Sequence, residues 1–187
     1  VIQDKYVVLD QTAFYPEGGG QPADHGALRF RDSQTSVVDA QKIGNIIVHV
    51  VKDGVPKKGD KVTGQIEWKR RISLMRHHTA THVIMGAARR LLGQHVWQSG
   101  AQKGEEVSRL DISHYQRLTA EEVRKIEESA NEVVMQTMAV ETSVLPRTEA
   151  ERQYGFRLYQ GGAVPGKEIR VVKTGEWEVQ ACGGTHV

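Results

Sequence analysis

Two pairs of metal-ligand residue types, with the same four-residue spacing and far apart in the chain, constrain its fold more than any other feature. His78 and His82 fall inside a stretch from Trp68 to Leu92 that has no proline and only one glycine, Gly86. Apolar Ile72, Met75, Val83, Ala87 and Leu91 recur there at three- and four-residue steps, which predicts one long amphipathic helix terminated by Gly93. Residues four apart on a helix share a face one turn apart, so both imidazoles can meet one ion. Cys182 and His186 repeat the spacing in Cys182-Gly183-Gly184-Thr185-His186, where adjacent glycines favour a tight loop over a helix. One thiolate and three imidazoles suit tetrahedral zinc and not magnesium or calcium. A fold that uses all four must bring a mid-chain helix against the last residues.

A single His pair at this spacing is commonly a surface pair. The second pair, which contains the sole cysteine, is what singles this set out. His77 points about 100 degrees away from His78 on a helix and is excluded as a ligand. His25, His49, His95 and His114 have no partner at metal spacing and are read as packing or hydrogen-bonding residues. Zincin proteases need His-Glu-x-x-His, with the Glu as general base. Here the segment is His78-Thr79-Ala80-Thr81-His82, so any hydrolysis proceeds without that carboxylate, which suits a labile ester better than an amide.

Before the helix, residues 1–66 read as short strands and turns: Tyr6–Leu9, Ser36–Val38 and Ile46–Val51 are set off by Gly, Asp and Pro. That spacing predicts a small β-barrel-like module or curled sheet. Within it stands Pro16-Glu17-Gly18-Gly19-Gly20-Gln21. It lacks the Gly-Lys-Ser/Thr of a P-loop and the dinucleotide fingerprint. Successive glycines permit positive φ and can aim amides at an oxygen; a tight structural turn explains them equally. After the helix, Gly100 and Gly104 read as turns and Val107–Ile112 as a strand. A second helix is predicted from the capping box Thr119-Ala120-Glu121-Glu122 to about Met138. Val140–Leu145 reads as a strand ending at Pro146, Glu149–Tyr154 as a short helix, and Ile169–Val172 with Trp177–Gln180 as paired strands. The expected fold class is α+β: the 1–66 module packed on a two-layer α+β zinc-binding domain over 67–187.

A chain of 187 residues with 39% apolar content can bury a real core. It shows no secretory signal and no membrane-length apolar stretch. It starts at Val1 and stops one residue after His186, which reads as a piece of something longer. A net charge of +2 fits a nucleic-acid partner without demanding one. The basic residues are grouped: Lys57 and Lys58, then Lys69, Arg70, Arg71 and Arg76, then Arg89 and Arg90.

In order, the glycine motif, His78-Thr79-Ala80-Thr81-His82, Gln98-Ser99-Gly100, Arg109-Leu110-Asp111 and Cys182-Gly183-Gly184-Thr185-His186 resemble the editing domain of alanyl-tRNA synthetase and its free-standing AlaX-type relatives. The resemblance spans essentially the whole chain. It implies a β-barrel-like N-terminal module joined to a zinc domain shared with threonyl-tRNA synthetase editing domains. It implies a cytoplasmic hydrolase of Ser-tRNA(Ala) and Gly-tRNA(Ala), attached to the rest of a synthetase. Zinc ligation is thereby implied for His78, His82, Cys182 and His186, active-site roles for Thr81 and Gln98, and substrate contact for Gly18, Gly19, Gly20 and Gln21. Many bacterial-type members carry Glu-Leu-Cys where this chain has Gln180-Ala181-Cys182, the archaeal-type form. Thr81 is the nominated partner for a serine hydroxyl; a helix residue bonded to its own backbone is the alternative. Arg70, Arg71, Arg76, Arg89 and Arg90 are expected along the phosphates of the acceptor end. Two other functions fit the residues alone: a non-catalytic zinc module that grips the tRNA acceptor end, and a metal-dependent hydrolase of a small ester or amide unrelated to tRNA.

Overall fold

In the first third of the chain, β-branched runs between turn residues become strands. The computed structural model describes residues 5–162 and 164–187, and builds β1 (Tyr6–Val8), β2 (Gly26–Phe30), β3 (Ser33–Ile43), β4 (Ile46–Val51) and β5 (Val62–Ile66). They form one antiparallel sheet in the order β1-β4-β3-β2-β5. Val7, Leu28, Val37, Ala40 and Val51 from the strands, with Phe14, make its apolar core. The expected 1–66 module thus takes the form of an open sheet, its first four positions lying outside the described residues. The barrel does not close: among the described residues, β1 and β5 each pair with one neighbour and not with each other. The physical reason is a side chain in the gap. Phe14 lies over Gly64, where a Cβ would come within 3.0 Å of the ring, and Asp10–Phe14 and Pro56–Lys61 line a groove that both edge strands also border.

α1 (Trp68–Leu92) has the bounds that its pattern predicts, and Gly93 ends it by donating its amide to the Arg89 carbonyl. β6 (Gln98–Lys103) and β7 (Ser108–Ile112) form a hairpin turned at Gly104. Gly100 is no turn: it sits inside β6 at a bulge. α2 (Ala120–Met135) begins on the predicted Thr119/Glu122 capping box. It packs on α1 through Ile126, Ala130 and Val133 against Val83, Ala87 and Ala88, with Val96, Leu110 and Ile112 from the hairpin side completing the cluster. β8 (Val140–Pro146), β9 (Glu168–Thr174) and β10 (Glu178–Ala181) form an antiparallel sheet in the order β10-β9-β8. α3 (Arg147–Tyr154) and a 3-10 turn (Phe156–Leu158) cover part of it through Ala150 and Leu158.

β10 lies beside α1 because α1 is thin there. Gly86 has no side chain, and a Cβ on it would stand 2.5 Å from Trp177 Nε1. Trp177 donates that N–H to the Val83 carbonyl at 3.0 Å. This contact delivers the end of β10, and the loop after it, to the histidine face of α1.

Candidate metal centre

His78 and His82 are buried on one face of α1, and the loop after β10 brings Cys182 and His186 to them. One donor atom from each of the four lies within 4.8 Å of the others. The three imidazole centroids are 4.5 to 5.4 Å apart. Ligand atoms around a tetrahedral ion with bonds of about 2.0–2.3 Å stand about 3.5 Å apart, so this cluster needs only small adjustments to close on one ion. His186 Nε2 is buried without a hydrogen-bond partner. A buried unpaired ring nitrogen is costly unless something binds it, so the residues fit a metal ion.

The loop's glycines make the approach possible. A Cβ on Gly184 would lie 2.0 Å from the His78 ring, so no side chain fits there. Arg170 on β9 ties the loop by donating to the carbonyls of Cys182, at 2.7 Å, and Gly184, at 2.9 Å. Thr79 stands by His186 Nδ1 at 3.2 Å and accepts the Val187 amide.

Burial sets the protonation of these groups. It drives His78 down to about 2 and His186 to about 3, helped by the positive charges of Lys103 and Arg170, and takes His82 well below its ordinary value. All three rings are therefore neutral and carry a lone pair for a metal. Burial pushes the Cys182 thiol up, opposed by the Gly184 amide, Lys103 and Arg170.

Gln21 ties the glycine motif to this cluster. It is fully buried, and its Oε1 accepts from His78 Nδ1 at 2.7 Å and from the Thr185 amide at 3.2 Å, while its Nε2 donates to Thr185 Oγ1 at 2.8 Å. The acceptor oxygen fixes the His78 proton on Nδ1, which leaves Nε2 facing Cys182 Sγ at 3.2 Å. Gln21 is thus seated behind two of the donors. Gly18 closes a tight turn with Gln21 by two mutual backbone hydrogen bonds. Gly19 and Gly20 have positive φ and are exposed. Gly20 abuts β6, where a Cβ would be 2.1 Å from the Ala101 carbonyl oxygen, and Lys103, itself buried, donates Nζ to the Gly19 carbonyl at 2.7 Å.

Thr81 is buried beside His82 and donates its hydroxyl to the His77 carbonyl at 2.8 Å. Gln98 opens β6, and its side-chain oxygen is buried without a partner. The arginines separate into two kinds. Arg71 is bound to Asp24 and to the Ala13 carbonyl, Arg70 is buried beside Glu105, and Arg89 is buried in an ion pair with Glu178 at 2.7 Å. Arg76 is exposed; Arg90, also exposed, stacks on Trp177 and donates to the Gly86 carbonyl at 3.0 Å and the Trp177 carbonyl at 2.6 Å. Sequence reasoning missed Lys103, Arg170 and Gln160. Gln160 donates Nε2 to His82 Nε2 at 3.2 Å and to Gln180 Oε1. The adjacent Gly161-Gly162 pair was the one available signal for it. His77 bonds the Gly104 carbonyl, and His95 bonds His114, as expected of non-ligands.

Residues 1–70 match the family model for class II (A) tRNA synthetases. The whole chain is similar to alanine–tRNA ligases: 59% identical to that of Pyrococcus abyssi, 58% to that of Thermococcus kodakarensis and 56% to that of Pyrobaculum calidifontis. Each alignment takes in 100% of this chain and 20 or 21% of the relative, so the chain spans about a fifth of the length of the curated relatives it matches. Among the described residues, no helix is long and apolar enough to cross a membrane.

Proposed function

We propose that this chain is the editing region of an alanine–tRNA ligase, a cytoplasmic hydrolase that removes serine and glycine from tRNA(Ala). The observation that carries the reading is the donor cluster itself: three buried ligands and the half-buried His186 with its unpaired ring nitrogen, within a sequence similar from end to end to part of alanine–tRNA ligases. His78, His82, Cys182 and His186 would hold zinc, which when bound supplies Lewis-acid polarisation. We take residues 1–66 and 67–187 as two units, with Gln21 of the first supporting the metal site of the second.

The chain's own residues supply the rest. Gly19 and Gly20 present exposed backbone at the rim of the site, where their amides would meet a developing oxyanion. Thr81 has committed its proton to the His77 carbonyl, so its oxygen is free only to accept; it would receive the hydroxyl proton of serine. A site built to pair a hydroxyl rejects the analogue that lacks one far better than an apolar pocket does. Thr81→Val should therefore narrow the preference for Ser-tRNA(Ala) over Ala-tRNA(Ala) by about tenfold or more. Unchanged discrimination in deacylation assays would remove Thr81 from this role.

The direct test compares deacylation of Ser-tRNA(Ala) and Ala-tRNA(Ala) by zinc-loaded, chelated and Cys182→Ala protein. Loss of serine alone, abolished by chelation and by the substitution, supports editing. A second reading has one observation in its favour: four protein ligands make the closed shell typical of structural zinc. Tight acceptor-end binding without turnover would favour that module.

A further inference from the structure

We infer that Gln160 is a substrate-positioning residue whose side-chain oxygen accepts a hydrogen bond from the α-amino group of the esterified amino acid; this rests on the editing reading above.

The argument starts at a buried ion pair away from the metal. Arg89 donates NH1 to Glu178 Oε1 at 2.7 Å. A guanidinium has no acceptor, so Glu178 Oε1 carries no proton. The same oxygen lies 3.3 Å from the Gln180 side chain, which must therefore offer its Nε2. That turns Gln180 Oε1 the other way, toward Gln160, and obliges Gln160 to donate its own Nε2 in turn. The same amide nitrogen lies 3.2 Å from His82 Nε2, which places Gln160 beside the ligand cluster. Each amide is oriented by the one before it. The polarity of Gln160 is thus dictated by Arg89, through Glu178 on β10 and Gln180 two residues further along the same strand face.

With Nε2 turned to Gln180, Gln160 Oε1 faces away from the relay. Among the described residues it accepts no hydrogen bond, and it is not sealed from solvent. The backbone at this point is fixed: Gly161 has φ +69 and sits so close to the Gln98 carbonyl that a Cβ would stand 2.6 Å from its oxygen. Gln98, whose own Oε1 is buried and unpaired, is thereby held next to the same segment. The result is an acceptor oriented by Gln180 on a side chain that adjoins His82. An ammonium or amine is the donor that every aminoacyl ester has in common, serine and glycine alike. This contact supplies what a hydroxyl reader such as Thr81 cannot, a hold on the glycyl ester.

The test uses the zinc-loaded chain and two non-hydrolysable ligands, 3′-deoxy-3′-(L-serylamino)adenosine and its des-amino counterpart carrying a 3-hydroxypropanoyl group. Calorimetry on the wild-type chain should show the amino ligand bound about tenfold or more tightly than the des-amino one, the fold-change of a hydrogen bond to a charged group. In Gln160→Ala that ratio should fall to near one, and turnover of seryl and glycyl esters on tRNA(Ala) should lose kcat/KM by similar factors. The absorption spectrum of the Co2+-substituted variant should match wild type, since Gln160 is no metal ligand here. A wild-type amino preference that survives Gln160→Ala, a loss confined to the seryl ester, or an altered Co2+ spectrum each overturns the inference. A wild-type chain that neither binds the amino ligand nor hydrolyses the esters overturns the editing reading itself.

Discussion

At the scale of residues, the centre is organised by side chains that would not touch the ion. Gln21 fixes the tautomer of His78 and holds the Thr185 end of the cysteine loop, so one side chain orients parts of two ligand elements. Partners of this sort commonly affect metal affinity by about 10–100-fold. Gln21→Ala should weaken zinc binding by that factor, read by competition with a chromophoric chelator; a change below about threefold would assign Gln21 to packing alone. Protonation yields a second expectation. The Cys182 thiol is raised, so it holds its proton at neutral pH until a metal expels it. The imidazoles are lowered, so they are already neutral at pH 6 and release nothing. Zinc binding should therefore release about one proton, and affinity should rise about tenfold per pH unit between pH 6 and 8. Calorimetry in buffers of different ionisation enthalpy measures the proton count, and a count near three would mean charged imidazoles in the free chain.

At the scale of elements, the packing of α1 against β10 is what assembles the ligands. Propensity alone says that Gly86→Ala should stabilise a helix by about 1 kcal/mol. The structure says the reverse, because the new methyl would meet Trp177 Nε1 at 2.5 Å and Glu178 Oε2 at 3.2 Å. Overpacking of this kind costs about 1–3 kcal/mol, so Gly86→Ala should lower the melting temperature and weaken zinc binding together; a raised melting temperature would sink the argument. Elements were legible in the sequence where the signal was local. α1 showed itself by apolar spacing without breakers, and α2 by a capping box whose atoms meet only across three residues. β6 was not legible: Gln98-Ser99-Gly100-Ala101-Gln102-Lys103 has no β-branched or aromatic residue, and it is a strand because β7 and the glycine loop pair and pack with it. The apolar pattern of α2 runs on to Met138, yet the helix ends at Met135 and Thr137 takes positive φ, a tertiary outcome with no periodicity to announce it. The same holds at the centre. Four ligands could be read from spacing and Gln21 from the glycine motif, though as a substrate contact, whereas Gln160, Lys103 and Arg170 act through long-range hydrogen bonds that leave no pattern in the chain.

At the scale of the whole molecule, the basic groups decide how the chain would meet a polyanion. Five arginines lie along the metal-bearing helix, but four of them make contacts within the chain. Arg71 joins α1 to Asp24 beside the glycine motif, Arg70 is buried near Glu105, and Arg89 neutralises Glu178 and starts the amide relay. Arg76 and Arg90 are the exposed members, but Arg90 also ties α1 to Trp177 by donating to the Gly86 and Trp177 carbonyls, which leaves Arg76 as the one of the five with no such tie among the described residues. Each phosphate contact made by a cation contributes about −0.9 to the slope of log K against log salt on duplex nucleic acid. Replacing Arg76 by Gln should therefore flatten the slope for an acceptor-stem duplex by about 0.9. Arg71→Gln should leave that slope unchanged and lower the melting temperature instead, because it strips a cation from the buried Asp24 carboxylate. Fluorescence anisotropy between about 50 and 200 mM salt, within the range where such slopes are measured, separates the two classes. If Arg71→Gln flattened the slope as much as Arg76→Gln, the division of these arginines into structural and partner-facing groups would fall, and the tRNA would have to approach along the Asp24 side of α1.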